Sequence, residues 1–242
     1  MSQDIDLAVV GAGPAGSSAA EAAAAAGISV WLIDKKSEIG SPVQCGGFLP
    51  EVGELEKLLP SAELPRVLAD IPERIVLCRT SLQRIYSPSG SFKEFPVAGR
   101  VLDRRAFDRH LAYRAAIAGA RILPATRARL NDGRLQLSGR FPGTARPRVI
   151  LGADGPHSTV SRAMGNPVQE TGICLEYEMV DVDIDPQAAE MYFSARYAPG
   201  GYAWIIPLGS DSAREGVGVR ASYLSGQRRP QIRDRLRAEH PL

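Results

Sequence analysis

Long apolar runs, paired cysteines and a dominant charge are what this 242-residue sequence lacks, and lysine is scarce. No stretch approaches the roughly 18 to 20 apolar residues of a bilayer span, and no basic-plus-apolar leader opens the chain, so a cytoplasmic protein is expected, peripheral to a membrane at most. The three cysteines, Cys45, Cys78 and Cys174, are odd in number, far apart and in no CxxC pair. That argues against a disulfide framework and a zinc ribbon, and Cys78 and Cys174 are expected to be core packing. Basic residues number 29 and acidic residues 27, for a net charge of +2. Nucleic-acid binding is therefore not expected, since it needs a concentrated basic patch that this balance does not advertise. Lysine occurs only as Lys35, Lys36, Lys57 and Lys93, and arginine supplies the rest, which reads as coding bias. With 44% hydrophobic residues, the length suffices for one large domain or two small ones.

Residues 5–10 are an apolar run, Gly11-Ala12-Gly13-Pro14-Ala15-Gly16 opens an alanine-rich stretch, and residues 28–33 are a second apolar run. The pattern is strand, glycine turn, helix, strand. Gly11 allows the tight exit from the strand, Gly13 lets backbone amides approach a pyrophosphate, and Gly16 lets helix and strand pack closely. Asp34 stands 23 positions after Gly11, at the end of the second strand, where a carboxylate accepts hydrogen bonds from an adenosine ribose. Its charge repels a 2′-phosphate, so the spacing points to FAD or NAD rather than NADP.

Further along, Arg104-Arg105-Ala106-Phe107-Asp108 opens a helix to about Gly119, with Phe107, Leu111 and Ala115 on one face. A strand at 148–151 then runs into Gly152-Ala153-Asp154-Gly155. With these motifs in this order, the chain resembles FAD-dependent oxidoreductases with the aromatic-hydroxylase type of FAD domain. The resemblance implies a cofactor contact at Arg104 and places Asp154 near the pyrophosphate.

Two more segments narrow the resemblance: Glu38-Ile39-Gly40-Ser41-Pro42-Val43-Gln44-Cys45-Gly46 and Pro199-Gly200-Gly201-Tyr202-Ala203-Trp204-Ile205-Ile206-Pro207. Together they resemble the geranylgeranyl reductase family, especially archaeal reductases of digeranylgeranylglycerophospholipids. Two positions depart from that family's pattern: Ile206 replaces a phenylalanine, and Gly47-Phe48 replaces an acidic residue followed by glycine. The resemblance implies FAD contacts at Ala15, Asp34, Cys45, Gly46, Arg104 and Ala128, and makes Tyr202 and Trp204 walls of a substrate cavity.

The fold class expected is α/β, α+β overall: a Rossmann-type FAD-binding domain at 1–73 and 100–172, interrupted by an antiparallel-sheet substrate domain at 74–99 and 173–242. Short strands are read at 74–79, 84–86, 91–95, 174–184, 191–197, 202–206 and 216–221, with a bulge or change of buried face near Met179. Asp181, Asp183 and Asp185 alternate and read as a solvated strand face rather than a metal site. A helix at 230–239 and the motif order read as the N-terminal part of a longer pattern, cut at the C-terminus.

The activity implied is saturation of carbon–carbon double bonds in a polyprenyl lipid by reduced FAD. An isolated alkene has no carbonyl to polarise, so hydride transfer must be matched by a proton, with Cys45 or water as its source. The rings of Tyr202 and Trp204 would face the developing positive charge. The electron donor stays open among a nicotinamide, a deazaflavin and a ferredoxin. Two rival readings are a flavin monooxygenase or halogenase, from the Tyr-x-Trp-x-Ile-Pro segment, and a non-catalytic flavin-binding remnant.

Overall fold

The computed structural model describes residues 3–131, 133–167 and 169–224. The chain begins with β1 (Gln3–Val10), α1 (Pro14–Ala25) and β2 (Val30–Ile33). It continues through β3 (Phe48–Pro50), α2 (Val52–Leu58), α3 (Arg66–Ala69), β4 (Val76–Tyr86) and β5 (Phe92–Leu102). Next come α4 (Arg104–Ile117), β6 (Arg121–Leu123), β7 (Thr126–Asn131), β8 (Arg134–Gly139), β9 (Gly143–Gly152) and α5 (Thr159–Ala163). Last are β10 (Gly172–Val180), β11 (Ala188–Tyr192), β12 (Tyr202–Pro207) and β13 (Ser212–Arg220). Among the described residues no helix is long and apolar enough to cross a membrane.

The chain divides into two compact units, Met1–Val43 with Arg104–Gln169, and Gln44–Asp103 with the residues from Glu170 on. The first is built on a sheet of order β6-β2-β1-β9-β8-β7. β6, β2, β1 and β9 are parallel, and the meander β7-β8 is antiparallel to β9. Side chains of β1 alternate between two cores. Val9 packs with Ala20 and Ala24 of α1 and Ala115 of α4, while Ala8 and Val10 pack with Ala128, Leu135 and Ala145 of the meander. Small residues at Gly16, Ala20 and Ala24 recur at helical spacing, which lets α1 lie close on the sheet. Phe107, Leu111 and Ala115 form the buried face of α4, as their spacing predicts.

The second unit is a sheet of order β10-β13-β12-β11-β4-β5-β3. The sequence reading put residues 44–73 in the first unit, whereas here they belong to the second. The cause is pairing: Phe48 of β3 lies opposite Val101 of β5, and the Arg100 side chain reaches back to the Leu68 carbonyl at 2.8 Å and the Glu51 carboxylate at 3.0 Å. The sheet is also not wholly antiparallel, because β11 runs parallel to β4. The chain passes through the first unit between these two strands, a crossover long enough for parallel pairing.

Other boundaries shift for local reasons. The two short strands read at 74–79 and 84–86 are one strand, β4, with a register shift between Thr80 and Leu82. Both Ser81 N–H and Leu82 N–H donate to the Gln187 carbonyl there, which breaks the alternation that sequence periodicity relies on. No bulge lies at Met179. β10 ends at Val180 and Asp181 takes a positive φ of 58°, so Asp181, Asp183 and Asp185 follow the strand instead of lining it. Asp185 pairs with Arg84 at 2.5 Å, and among the described residues no acidic, histidine or cysteine cluster could hold a metal. Cys78 is half-buried and Cys174 exposed, so neither is the core packing expected. The helix read at 230–239 lies outside the described residues.

Candidate functional site: a dinucleotide cradle and an aromatic sheet face

Parallel strands β1, β2 and β9 end side by side, and their C-terminal ends bring together Gly11, Asp34 and Asp154. Gly11 N–H donates to the Ile33 carbonyl at 2.8 Å and Ala153 N–H to the Val10 carbonyl at 2.7 Å, which locks the three exits together. Gly11 has a φ of +105°, and a Cβ there would strike the Ala153 carbonyl oxygen; one on Gly16 would strike the carbonyl of Gly11. Gly13 differs, because a Cβ there would meet nothing within 4 Å. That open space lies at the N-terminus of α1, whose first turn carries no acidic residue and whose N-cap has no side-chain acceptor. The amides near Ala15 and Gly16 are therefore left for an anion, the arrangement that takes a pyrophosphate. These residues fit FAD.

Asp34 is tied into the cradle: its carboxylate accepts from Ala12 N–H at 2.6 Å and from Lys36 N–H at 2.7 Å. A carboxylate has about four acceptor positions, so room remains for ribose hydroxyls. Thr126 N–H at the start of β7 donates to the Asp34 carbonyl at 2.8 Å. Along an antiparallel edge strand, outward-facing backbone groups recur every second residue, so those of Ala128 share that edge. The Ala128 side chain itself is buried in the core.

Asp154 has a job the sequence reading did not give it. Its carboxylate accepts from the Ser158 hydroxyl at 2.5 Å, Thr159 N–H at 2.6 Å and the Thr159 hydroxyl at 2.8 Å, and Ser158 in turn caps α5 by accepting from Ser161 N–H. Burial pushes its pKa up, but these hydrogen bonds outweigh burial and hold it below the usual carboxylate range. A folded-state pKa below the unfolded one stabilises above the unfolded value near 3.9, and that stability is lost as pH falls through the lower folded value. Asp154→Asn is expected to cost about 1 kcal/mol at neutral pH, a small figure because the group is partly solvated. Urea unfolding followed against pH should show the gap closing as pH falls below the unfolded carboxylate value near 3.9.

Arg104 opens α4 and turns back onto it, donating to Asp108 at 2.8 Å, with its guanidinium carbon 5.9 Å from the Phe107 ring centre. The Glu38-Ile39-Gly40 segment is fixed on the same helix. Glu38 pairs with Arg109, Ile39 packs in the α1/α4 core, and Gly40 lies against the Arg105 backbone.

The other candidates belong to the second unit. Tyr202, Trp204 and Ile206 share one face of β12, as period two predicts. The Tyr202 and Trp204 rings meet edge to face at 5.9 Å, and Phe193 continues the row at 5.6 Å from Tyr202. The indole lies over Gly216 of β13, where a Cβ would overlap it. A Cβ on Gly46 would sit 3.3 Å from Trp204 Nε1, so Gly46 and Trp204 come together although 158 positions separate them, while the neighbouring Cys45 is exposed. Trp204 Nε1 is buried with no hydrogen-bond partner among the described residues. The turn that follows uses Gly47, at a φ of +84°, so Phe48 is free to begin β3 and the departure from the family pattern leaves the backbone unstrained.

Sequence pattern did not single out Arg214. It is buried on β13, donates from Nη1 to the Gly46 carbonyl at 3.3 Å and the Leu102 carbonyl at 3.2 Å, and binds Glu178 through Nε and Nη2. A charged residue at an inward position of a strand was the available signal.

Two family models match: a geranylgeranyl reductase catalytic domain over residues 170–241 and an NAD(P)-binding Rossmann-like domain over residues 9–46. An uncharacterized protein in the nifH2 5′ region of Methanosarcina barkeri is 49% identical over 162 residues, covering 66% of this chain and 87% of that protein. Digeranylgeranylglycerophospholipid reductase of Methanocella arvoryzae is 36% identical over 244 residues, covering 94% of this chain and 59% of the reductase. The chain thus spans about 60% of the length of that relative. Among solved structures, a geranylgeranyl bacteriochlorophyll reductase-like protein of Thermoplasma acidophilum superposes with a TM-score of 0.80 at 29% identity, covering 100% of this chain and 63% of the other.

Proposed function

The chain belongs to the geranylgeranyl reductase family, and on that premise we propose that it is an FAD-dependent reductase saturating carbon–carbon double bonds of geranylgeranyl lipid chains. The observation that carries this reading is the aromatic face of β12 meeting the Cys45-Gly46 segment, with the Trp204 indole N–H left unpaired beside Gly46. An aromatic wall suits a hydrocarbon chain, and the buried indole N–H takes no part in that fit.

Gly13, Ala15, Asp34 and the Ala128 backbone would hold the dinucleotide, with Asp154 keeping the second turn in shape. When bound, reduced FAD would supply the hydride, two electrons with one hydrogen. The other alkene carbon takes a proton, from the Cys45 thiol or from water. With the proton adding ahead of the hydride, the rings of Tyr202 and Trp204 would face the positive charge that develops on the alkene, an attraction of about 1 to 2 kcal/mol for a desolvated cation. Gly216 supports this by leaving the indole room to lie flat on the sheet.

The test is prenyl-chain saturation by the flavin-loaded chain with dithionite replacing the natural donor. Trp204→Leu is expected to slow product formation about tenfold or more. Cys45→Ala is expected to slow it on the order of a hundredfold if the thiol is the proton source. Unchanged turnover in both variants removes these roles. Consumption of oxygen or halide in place of prenyl saturation moves the reading to a monooxygenase or halogenase.

A further inference from the structure

The near-neutral charge of the whole chain conceals a segregated one. Residues 121–148 contain seven arginines and a single acid, Asp132. All seven arginines are exposed. In the meander the alternation is strict: Ala128, Leu135 and Ala145 point into the core, and Arg127, Arg129, Arg134 and Arg146 point out. Across the ladder Arg127 faces Ser138 and Arg129 faces Gln136, so the arginines are spaced by neutral partners. Among the described residues Arg127, Arg129 and Arg134 have no carboxylate partner, whereas Arg146 stands opposite Asp4 of β1.

An apolar element sits at the edge of this face. The β8–β9 hairpin turns at Arg140-Phe141-Pro142, beside a cavity of about 280 Å³ lined by Trp31, Leu123, Leu137 and Phe141. Its two guanidiniums lie on ring faces, Arg121 at 5.5 Å from the Trp31 ring centre and Arg140 at 5.7 Å from that of Phe141.

We propose that the outer face of this meander, with the Phe141 hairpin at its edge, docks on an anionic lipid bilayer. Exposed arginines attract an anionic leaflet, and aromatic side chains next to them seat at headgroup level. A groove for single-stranded nucleic acid interleaves aromatic rings with basic groups so that bases can stack. Here the rings are absent from the arginine face and confined to one edge, which favours a lipid surface. The choice of partner rests on the lipid-reductase reading above.

The test is cosedimentation of the full chain with vesicles of phosphatidylcholine alone and of phosphatidylcholine with phosphatidylglycerol. Binding is expected only with phosphatidylglycerol and to weaken as salt rises. The triple variant Arg127→Gln, Arg129→Gln, Arg134→Gln is expected to lower the partition coefficient on the order of a hundredfold with unchanged thermal unfolding. The same three changes to lysine should keep most of the binding. Equal binding to both vesicle types, full binding by the glutamine variant, or tighter binding to a single-stranded oligonucleotide than to anionic vesicles at the same salt overturns the proposal. Vesicle binding is read without turnover, so its failure and a failure of prenyl saturation are separate results.

Discussion

Gly11→Ala is expected to give a chain that no longer retains FAD and unfolds at least about 3 kcal/mol more easily. Two penalties coincide at this position. The φ of +105° is one that a side chain rarely adopts, and the added Cβ would strike the Ala153 carbonyl oxygen. That oxygen is backbone, held just beyond β9 by the Ala153 N–H donating to the Val10 carbonyl, so it cannot swing aside as the end of a flexible side chain would. Gly13→Ala is the informative contrast. Its φ of −75° is ordinary and its Cβ would point into open space, so unfolding should be nearly unchanged. The methyl group would nevertheless stand where a pyrophosphate must approach the amides, and FAD affinity should fall about tenfold or more. Thermal unfolding of the flavin-free variants and flavin-fluorescence titration separate the two effects. Equal loss of stability in both variants would contradict the assignment of Gly13 to the cofactor.

Arg214→Met is the second large effect expected, and it acts on the other unit. Its guanidinium is the donor to the Gly46 and Leu102 carbonyls and the partner of Glu178. Methionine fills much of the same volume but leaves both carbonyls without their donor, at a cost of about 2 to 3 kcal/mol. For a chain of this size that lowers the melting temperature by roughly 5 to 10 °C. Lysine should not rescue it, since one ammonium cannot reproduce a planar fork that reaches a carboxylate and two carbonyls. Glu178→Gln should cost less than Arg214→Met, because the Glu178 side chain is 59% exposed and glutamine keeps an acceptor for the buried guanidinium. Prenyl saturation by Arg214→Met should fall along with stability, as the Cys45-Gly46 segment loses its anchor beside Trp204.

The cradle was legible in the sequence because it is local. Gly11, Gly13, Gly16 and Asp34 act within one strand-turn-helix-strand unit, where spacing alone sets geometry. The aromatic row of Tyr202 and Trp204 was legible for the same reason, since period two fixes the face of a strand. The meeting of Gly46, Trp204 and Arg214 was not, because it depends on the register of β12 with β13 and on the Gly47–Leu102 pairing, which join positions far apart in the chain. Residues 44–73 were assigned to the first unit because a three-residue strand such as β3 carries no period to read. The arginine face was missed for a different reason. Net charge is a sum, and the acidic residues that bring it to +2 lie almost entirely outside the meander.

The most direct test is the absorption spectrum of the purified chain before and after anaerobic dithionite reduction, followed by addition of a geranylgeranyl lipid. One flavin per chain, bleached by dithionite and restored as the lipid gains two hydrogens per double bond, is the result predicted. A colourless chain that takes up no FAD, or a reduced flavin that persists while the lipid stays unsaturated, would contradict the account.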